Sequence, residues 1–180
     1  LSMSLFLVGY MGSGKSSVGR RLANRLELEF VDMDSLIEEY AQATVEDIFS
    51  KSGEETFRML ENHILDKLIT GEPKVIASGG GSPCHSGNMD KMLSSGYTVY
   101  LELPASKLAR RIHQSNVKNP GKRPLVKGLE GNALLDYVTE NLDLRKEFYE
   151  MSDMTVDADR VNSAMLDEIK ENYFDWEEKA

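Results

Sequence analysis

The sequence has one cysteine (Cys84), one tryptophan (Trp176), five prolines and three histidines in 180 residues. A lone cysteine excludes an internal disulfide, and nothing argues for secretion. The chain is therefore expected in the cytoplasm. No apolar run approaches the roughly 20 residues that span a bilayer. Leu5 to Val8 is too short for the core of a signal peptide and has no basic residue before it. His63, His85 and His113 are scattered and share no metal-ligand spacing with one another or with Cys84, so they read as structural or surface residues. Cys84 has no evident base beside it and reads as inert. Positive charge is also in short supply: the net charge is −9. That excludes general nucleic-acid binding, which rests on neutralising phosphates with Lys and Arg. The deficit is local. Residues 147–180 hold 11 acids against three bases, whereas residues 1–146 hold 19 against 18. The acidic end reads as a solvated helix face, and a small anionic substrate can still be met by local arginines elsewhere.

Hydrophobic residues at 41% and charged residues at 28% describe a globular chain. The length fits one domain with a sizeable core. Leu1-Ser2 ahead of Met3 reads as an addition, so the domain is counted as residues 3–180. Short apolar strands alternate with amphipathic helices. Ser4 to Val8, Glu29 to Asp32, Lys74 to Ser78, Tyr97 to Glu102 and Met154 to Asp157 read as strands. Val18, Leu22 and Leu26 share one helix face. Ser35 with Glu38 forms a capping box, which predicts a helix starting there. Further helices are expected over 53–69, 105–114, 133–151 and from Asn162 onward. Residues 115–132 lack periodicity and carry Gly, Pro and Lys, and a loop of that length inside a compact domain is usually functional. The expected fold is α/β: a three-layer sandwich with a five-stranded parallel sheet between helices. Ligands then bind beyond the carboxyl ends of the strands.

Gly9-Tyr10-Met11-Gly12-Ser13-Gly14-Lys15-Ser16 follows a strand and opens a helix. That is the context in which G-x-x-x-x-G-K-[ST] cradles phosphate through backbone N–H groups and the helix N-terminus. Lys15 then reaches the β and γ phosphates and the Ser16 hydroxyl binds Mg²⁺. After the second strand comes Asp32-Met33-Asp34. Alternate residues of an extended segment point the same way, so both carboxylates can face the loop. One can serve the metal, directly or through water, and the other can accept a proton from an attacking hydroxyl. Helix capping is the alternative. The strand Val75-Ile76-Ala77 ends in Ser78, where phosphate-loop enzymes commonly carry a metal-binding Asp. Asp32 gains weight as the metal carboxylate, and Ser78 could hold a metal-bound water. Gly79-Gly80-Gly81 reads as a close backbone approach to a ligand, or as a plain turn. Arg58 and Glu61 can pair along a helix. Whether Arg58 and Arg145 converge is beyond what spacing tells. Arg123, in the structureless loop, reads as a phosphate-stabilising guanidinium supplied in cis, worth on the order of 10³-fold in rate, or as a basic loop tip. Arg110-Arg111 could stack on a base or cap a helix.

Taken in order, the motifs resemble those of the shikimate kinases, within the nucleoside-monophosphate-kinase-like group of phosphate-loop proteins. The motifs are Gly9 to Ser16, Phe30 to Asp34, Ile48-Phe49 with Gly53-Glu54 and Phe57-Arg58-x-x-Glu61, Ser78 to Gly81, Arg123-Pro124-Leu125, and Arg145 with Tyr149. The resemblance implies a P-loop kinase fold with a substrate-binding segment near 33–61 and a lid near 115–132. It implies transfer of the ATP γ-phosphoryl group to the 3-hydroxyl of shikimate, in aromatic amino-acid biosynthesis. Carried over, Gly12, Ser13, Gly14, Lys15, Ser16 and Ser17 would bind nucleotide, with Arg111 and Arg160 near adenine. Ser16 and Asp32 would hold Mg²⁺. Asp34 would hold the substrate hydroxyls and act as base. Arg58, Arg145, Gly80 and Gly81 would bind shikimate between Phe49 and Phe57, with Glu61 orienting Arg58. Lys15, Asp34 and Arg123 would be the catalytic residues. ATP and shikimate are the expected partners of a monomer, with no nucleic acid and no membrane. Two departures stand out: the stretch from Arg111 to Arg123 is long, and Met11 stands where several relatives carry proline. The nearest rival is another small-metabolite kinase, such as one acting on gluconate. A nucleotide-binding module without catalysis is the rival from a different class.

Overall fold

The computed structural model describes residues 3–119 and 124–180. Five strands, β1 (Ser4–Val8), β2 (Glu29–Asp32), β3 (Lys74–Ala77), β4 (Gly96–Glu102) and β5 (Met154–Asp157), form one parallel sheet in the order β2-β3-β1-β4-β5. β1 is central and wholly buried, which is why it reads as an unbroken apolar run rather than an alternating one. Leu5 is aligned with Val75 on one side and Tyr97 on the other. Seven helices flank the sheet among the described residues: α1 (Lys15–Leu26), α2 (Met33–Ala41), α3 (Val45–Ile69), α4 (Asn88–Ser95), α5 (Ala105–Lys118), α6 (Gly131–Tyr149) and α7 (Ser163–Glu177). None is long and apolar enough to cross a membrane. Val18, Leu22 and Leu26 are the buried stripe of α1, as their spacing predicts. α7 packs beside α1 and closes over Tyr97 with Tyr173 and Trp176.

Several local features differ from the sequence-based expectation. α2 starts at Met33, and its cap is Asp32, whose carboxylate accepts from the Ser35 N–H (3.4 Å). Asp32 holds extended backbone at φ −100°, as an N-cap requires, so the helix begins before Ser35. Glu38 does not complete a capping box. It accepts instead from the Val45 N–H (2.8 Å) and so ties α2 to the start of α3. α3 begins eight residues before Gly53, capped by Thr44, and is broken at Gly53 (φ 83°). α4 is only eight residues long and anchored by Met89 and Met92. The segment expected as a free loop over 115–132 is largely helical at its edges. α5 runs to Lys118 and α6 starts at Gly131. Between them lies a short 3₁₀ turn, Pro124–Val126, in which Val126 is fully buried.

Candidate active site

The carboxyl ends of β1, β2 and β3 open on a cleft of about 490 Å³. Its floor is the turn between β1 and α1. Gly14 closes that turn in the left-handed conformation (φ 100°), and Lys15 starts the helix with its side chain folded back over the turn. The Lys15 ammonium donates to the carbonyls of Gly9 (2.7 Å) and Tyr10 (3.1 Å). A buried cation is thereby held over the turn at the start of α1, where backbone N–H groups and the helix N-terminus favour phosphate. The Ser16 hydroxyl donates to the Asp32 carboxylate (2.5 Å).

Asp34 lies in the first turn of α2, not on an extended segment with Asp32. The two carboxylates still meet in the cleft because strand gives way to helix between them. Asp34 is open to the water of the cleft, yet the protein enclosing it raises its pKa above 3.8, and the charge of Asp32 adds to the rise. Lys15 and Arg58 pull the other way without reversing the direction.

Arg58 and Glu61 sit one turn apart on α3. They form a buried ion pair at 2.6 Å, with Glu61 only 1% exposed. Glu54 adds a second carboxylate to the same guanidinium, accepting from Nη2 (2.9 Å) and Nε (3.2 Å). Burial opposes the Arg58 charge, but Glu61 and Glu54 overcome it and raise its pKa. Burial likewise pushes the Glu61 carboxyl up to about 7, against the pull of Arg58.

The three glycines after β3 run between these groups. A Cβ on Gly79 would lie 2.5 Å from Glu61 Oε1 and 2.9 Å from Asp34 Oδ1. A Cβ on Gly81 would lie 2.7 Å from Arg58 Nη2. A side chain at either point would push a charged group out of place. Gly81→Ala should therefore displace Arg58 and raise the KM for the acceptor substrate about 10-fold or more, at unchanged ATP KM. The scale is that of a hydrogen bond to a charged group. Steady-state kinetics with each substrate varied in turn would check this, and an unchanged acceptor KM would refute the packing argument.

Arg145, on α6, comes to the same cleft with its guanidinium 5.3 Å from the centre of the Tyr10 ring. The structure thus brings Arg58 and Arg145 together, along with Asp34, Glu61, Gly80, Gly81, Phe49 and Phe57. Phe49 and Phe57 stack at 4.8 Å and wall one side. At the opposite end, Gly12, Gly14, Lys15, Ser16, Ser17, Asp32 and Arg111 line the cleft. Arg111 reaches the carbonyls of Gly12, Ser13 and Ala158, each at 3.4 Å, and so links the phosphate loop to the turn after β5.

Two expected nucleotide residues do not line the cleft. Ser13 is buried within the loop, and its hydroxyl finds no partner among the described residues. Arg160 is exposed in the turn after β5. Arg123 lies outside the described residues. Five cleft residues were absent from the expected site residues: Met11, Ser35, Glu38, Val45 and Leu125. Ser35, Glu38 and Val45 lie within the 33–61 segment, and Met11 and Leu125 within the Gly9–Ser16 and Arg123–Leu125 motifs, which are the signals that could have found them. Ser78 lines the cleft with a buried, unpartnered hydroxyl. Cys84 lies near both arginines, but burial pushes its thiol up to about 11, which keeps it unreactive at neutral pH.

Ser16, Asp32 and Ser78 offer hard oxygen donors in one place. No cluster of three or more His, Cys, Asp or Glu able to cage a metal occurs among the described residues. That donor set fits Mg²⁺, which takes one or two protein ligands and completes its shell with phosphate oxygens and water.

A glycine loop with Lys15 and Ser16 at a helix start, on a parallel sheet of this order, defines a P-loop kinase. The matching family model is shikimate kinase, over residues 11–173. The chain is 40% identical over 157 residues to a shikimate kinase of Parabacteroides distasonis, covering 87% of this chain and 88% of that one. It superposes on the 1.7 Å crystal structure of shikimate kinase from Bacteroides thetaiotaomicron with a TM-score of 0.82 at 34% identity, covering 92% and 93% of the two chains. For the Acinetobacter baumannii shikimate kinase in complex with shikimate, the TM-score is 0.83 at 30% identity, covering 97% and 94%. The chain belongs to the shikimate kinase family.

Proposed function

We propose that this protein phosphorylates the 3-hydroxyl of shikimate with ATP, giving shikimate 3-phosphate and ADP in aromatic amino-acid biosynthesis. The observation that carries this is the division of one cleft into two ends: a phosphate seat at Lys15, and a pair of guanidiniums facing Asp34. Shikimate is a small ring with a carboxylate on one side and three hydroxyls on the other. A carboxylate suits a planar, bidentate guanidinium, and hydroxyls suit a charged acceptor such as Asp34.

In this mechanism the phosphate loop and Lys15 bind the β and γ phosphates. Mg²⁺ held at Ser16 and Asp32, with a water on Ser78, would neutralise phosphate charge. Arg145 and Arg58 grip the carboxylate and so fix the ring, and Glu61 and Glu54 hold Arg58 in aim. Asp34 accepts the hydrogen bond of the 3-hydroxyl and takes its proton as the oxygen bonds to the γ-phosphorus. The bond from that phosphorus to the bridging oxygen breaks, and ADP leaves with the electron pair. In a loose phosphoryl-transfer transition state, positioning and charge neutralisation matter more than a strong base.

The test is ADP release with Mg-ATP in the presence of shikimate, quinate, gluconate or no acceptor. Shikimate should stimulate strongly, and Arg145→Ala should raise its KM about 10- to 100-fold through loss of a charged hydrogen bond. Turnover only with gluconate would keep the fold and overturn the acceptor assignment.

A further inference from the structure

The two arginines at the acceptor end are held in opposite ways. Arg58 is bound by two carboxylates, Glu61 and Glu54. Arg145 forms no ion pair with any carboxylate among the described residues, and its guanidinium rests over the ring of Tyr10. Tyr10 is 1% exposed, and its hydroxyl finds no hydrogen-bond partner among the described residues. Tyr149, one turn along α6, donates to the Gly80 carbonyl and so pins the helix to the glycine turn. Its ring packs on Tyr100 at 5.2 Å.

We infer that Tyr10 is a positioning residue for the acceptor: its ring face holds the Arg145 guanidinium toward the cleft without neutralising it. A carboxylate partner would cancel the charge and compete with the carboxylate of the substrate. An aromatic face attracts a cation through its quadrupole without cancelling its charge, and the other contact of the guanidinium, the Tyr149 hydroxyl, is neutral as well, so neither competes for that charge with the carboxylate of the substrate. Tyr10 thereby joins the two ends of the site. Its carbonyl accepts from Lys15 in the phosphate loop, while its side chain supports the acceptor arginine. The lack of a partner for the hydroxyl points to the ring as the working part.

This inference rests on Arg145 taking the carboxylate of the substrate, so the experiment includes Arg145→Ala. Steady-state kinetics would compare Tyr10→Phe, Tyr10→Met and Tyr10→Leu, each also in the Arg145→Ala background. The two variants without a ring should raise the KM for shikimate about 3- to 20-fold, with ATP KM and kcat within about twofold. Tyr10→Phe keeps the face and should stay within about twofold of the parent. In the Arg145→Ala background, Tyr10→Met should add nothing, because contacting partners couple and independent residues do not. Two ringless variants guard against a loss of fold in one, and ATP KM with the thermal midpoint reports the integrity of the loop. Tyr10→Phe as damaging as Tyr10→Met would overturn the role of the face. A full additional loss in the Arg145→Ala background would show that Tyr10 acts by another route. An unchanged shikimate KM in Arg145→Ala alone would remove the role of Arg145, and that of Tyr10 with it.

Discussion

Lys15→Met should lower kcat about 10³-fold while leaving shikimate binding nearly intact. The scale is that of removing one preorganised charge from a site where transition-state charge develops. Lys15 is nine-tenths buried and held by the Gly9 and Tyr10 carbonyls, so its ammonium is placed before substrate arrives and need not reorganise during the reaction. Methionine keeps most of the stem and removes the charge, which separates electrostatics from packing. The same charge lowers the pKa of Asp34, so its loss also makes the acceptor base harder to ionise. Both effects act on the rate and neither on the grip of Arg58 and Arg145. Single-turnover phosphoryl transfer, with shikimate affinity measured separately by calorimetry, would check the split. A kcat within tenfold of the parent would mean that the phosphoryl charge is neutralised by other groups.

The contrast between what the sequence revealed and what it hid follows from distance along the chain. The phosphate loop is contiguous, so Gly9 to Ser16 could be placed after a strand and before a helix by motif and periodicity alone. β1 is a plain apolar run that matches its expected span, and α1 buries Val18, Leu22 and Leu26 on the one face that their four-residue spacing predicts. The acceptor end is assembled from α2, α3, the turn after β3, and α6. No local pattern tells that Arg58 and Arg145 face one volume, and the resemblance to a family supplied that expectation. The part played by Gly79 depends on two carboxylates reaching it from different helices. Capping was misplaced for a simpler reason. Asp32 and Ser35 are both good N-caps, and the choice between them fell to the end of β2, which already holds Asp32 in extended backbone. α4 was missed because eight residues with two buried methionines carry too little periodicity to count.

Asp34→Asn should cut kcat about 10²- to 10³-fold, the range for a positioned proton acceptor, and should at the same time make the metal-free protein more resistant to heat at neutral pH. Both follow from one observation: the carboxyl of Asp34 has its pKa raised in the fold, first by the protein enclosing it and then by Asp32. A carboxyl whose folded pKa exceeds its unfolded value contributes stability that is present below the unfolded pKa and is lost as pH rises through the folded one. At pH 7 the raised pKa therefore opposes folding, because the unfolded chain ionises Asp34 more readily than the folded one does, and asparagine removes that cost. The charge of Asp34 also raises the pKa of Glu61, so the variant relieves a second carboxylate as well. Melting curves in EDTA without nucleotide should show Asp34→Asn above the parent at pH 7, with the gap closing as pH falls toward 4. A gap that is absent at pH 7, or that widens in acid, would overturn the direction of the shift. A gain in stability beside a loss of turnover would mark Asp34 as a group whose placement serves the reaction at the expense of the fold.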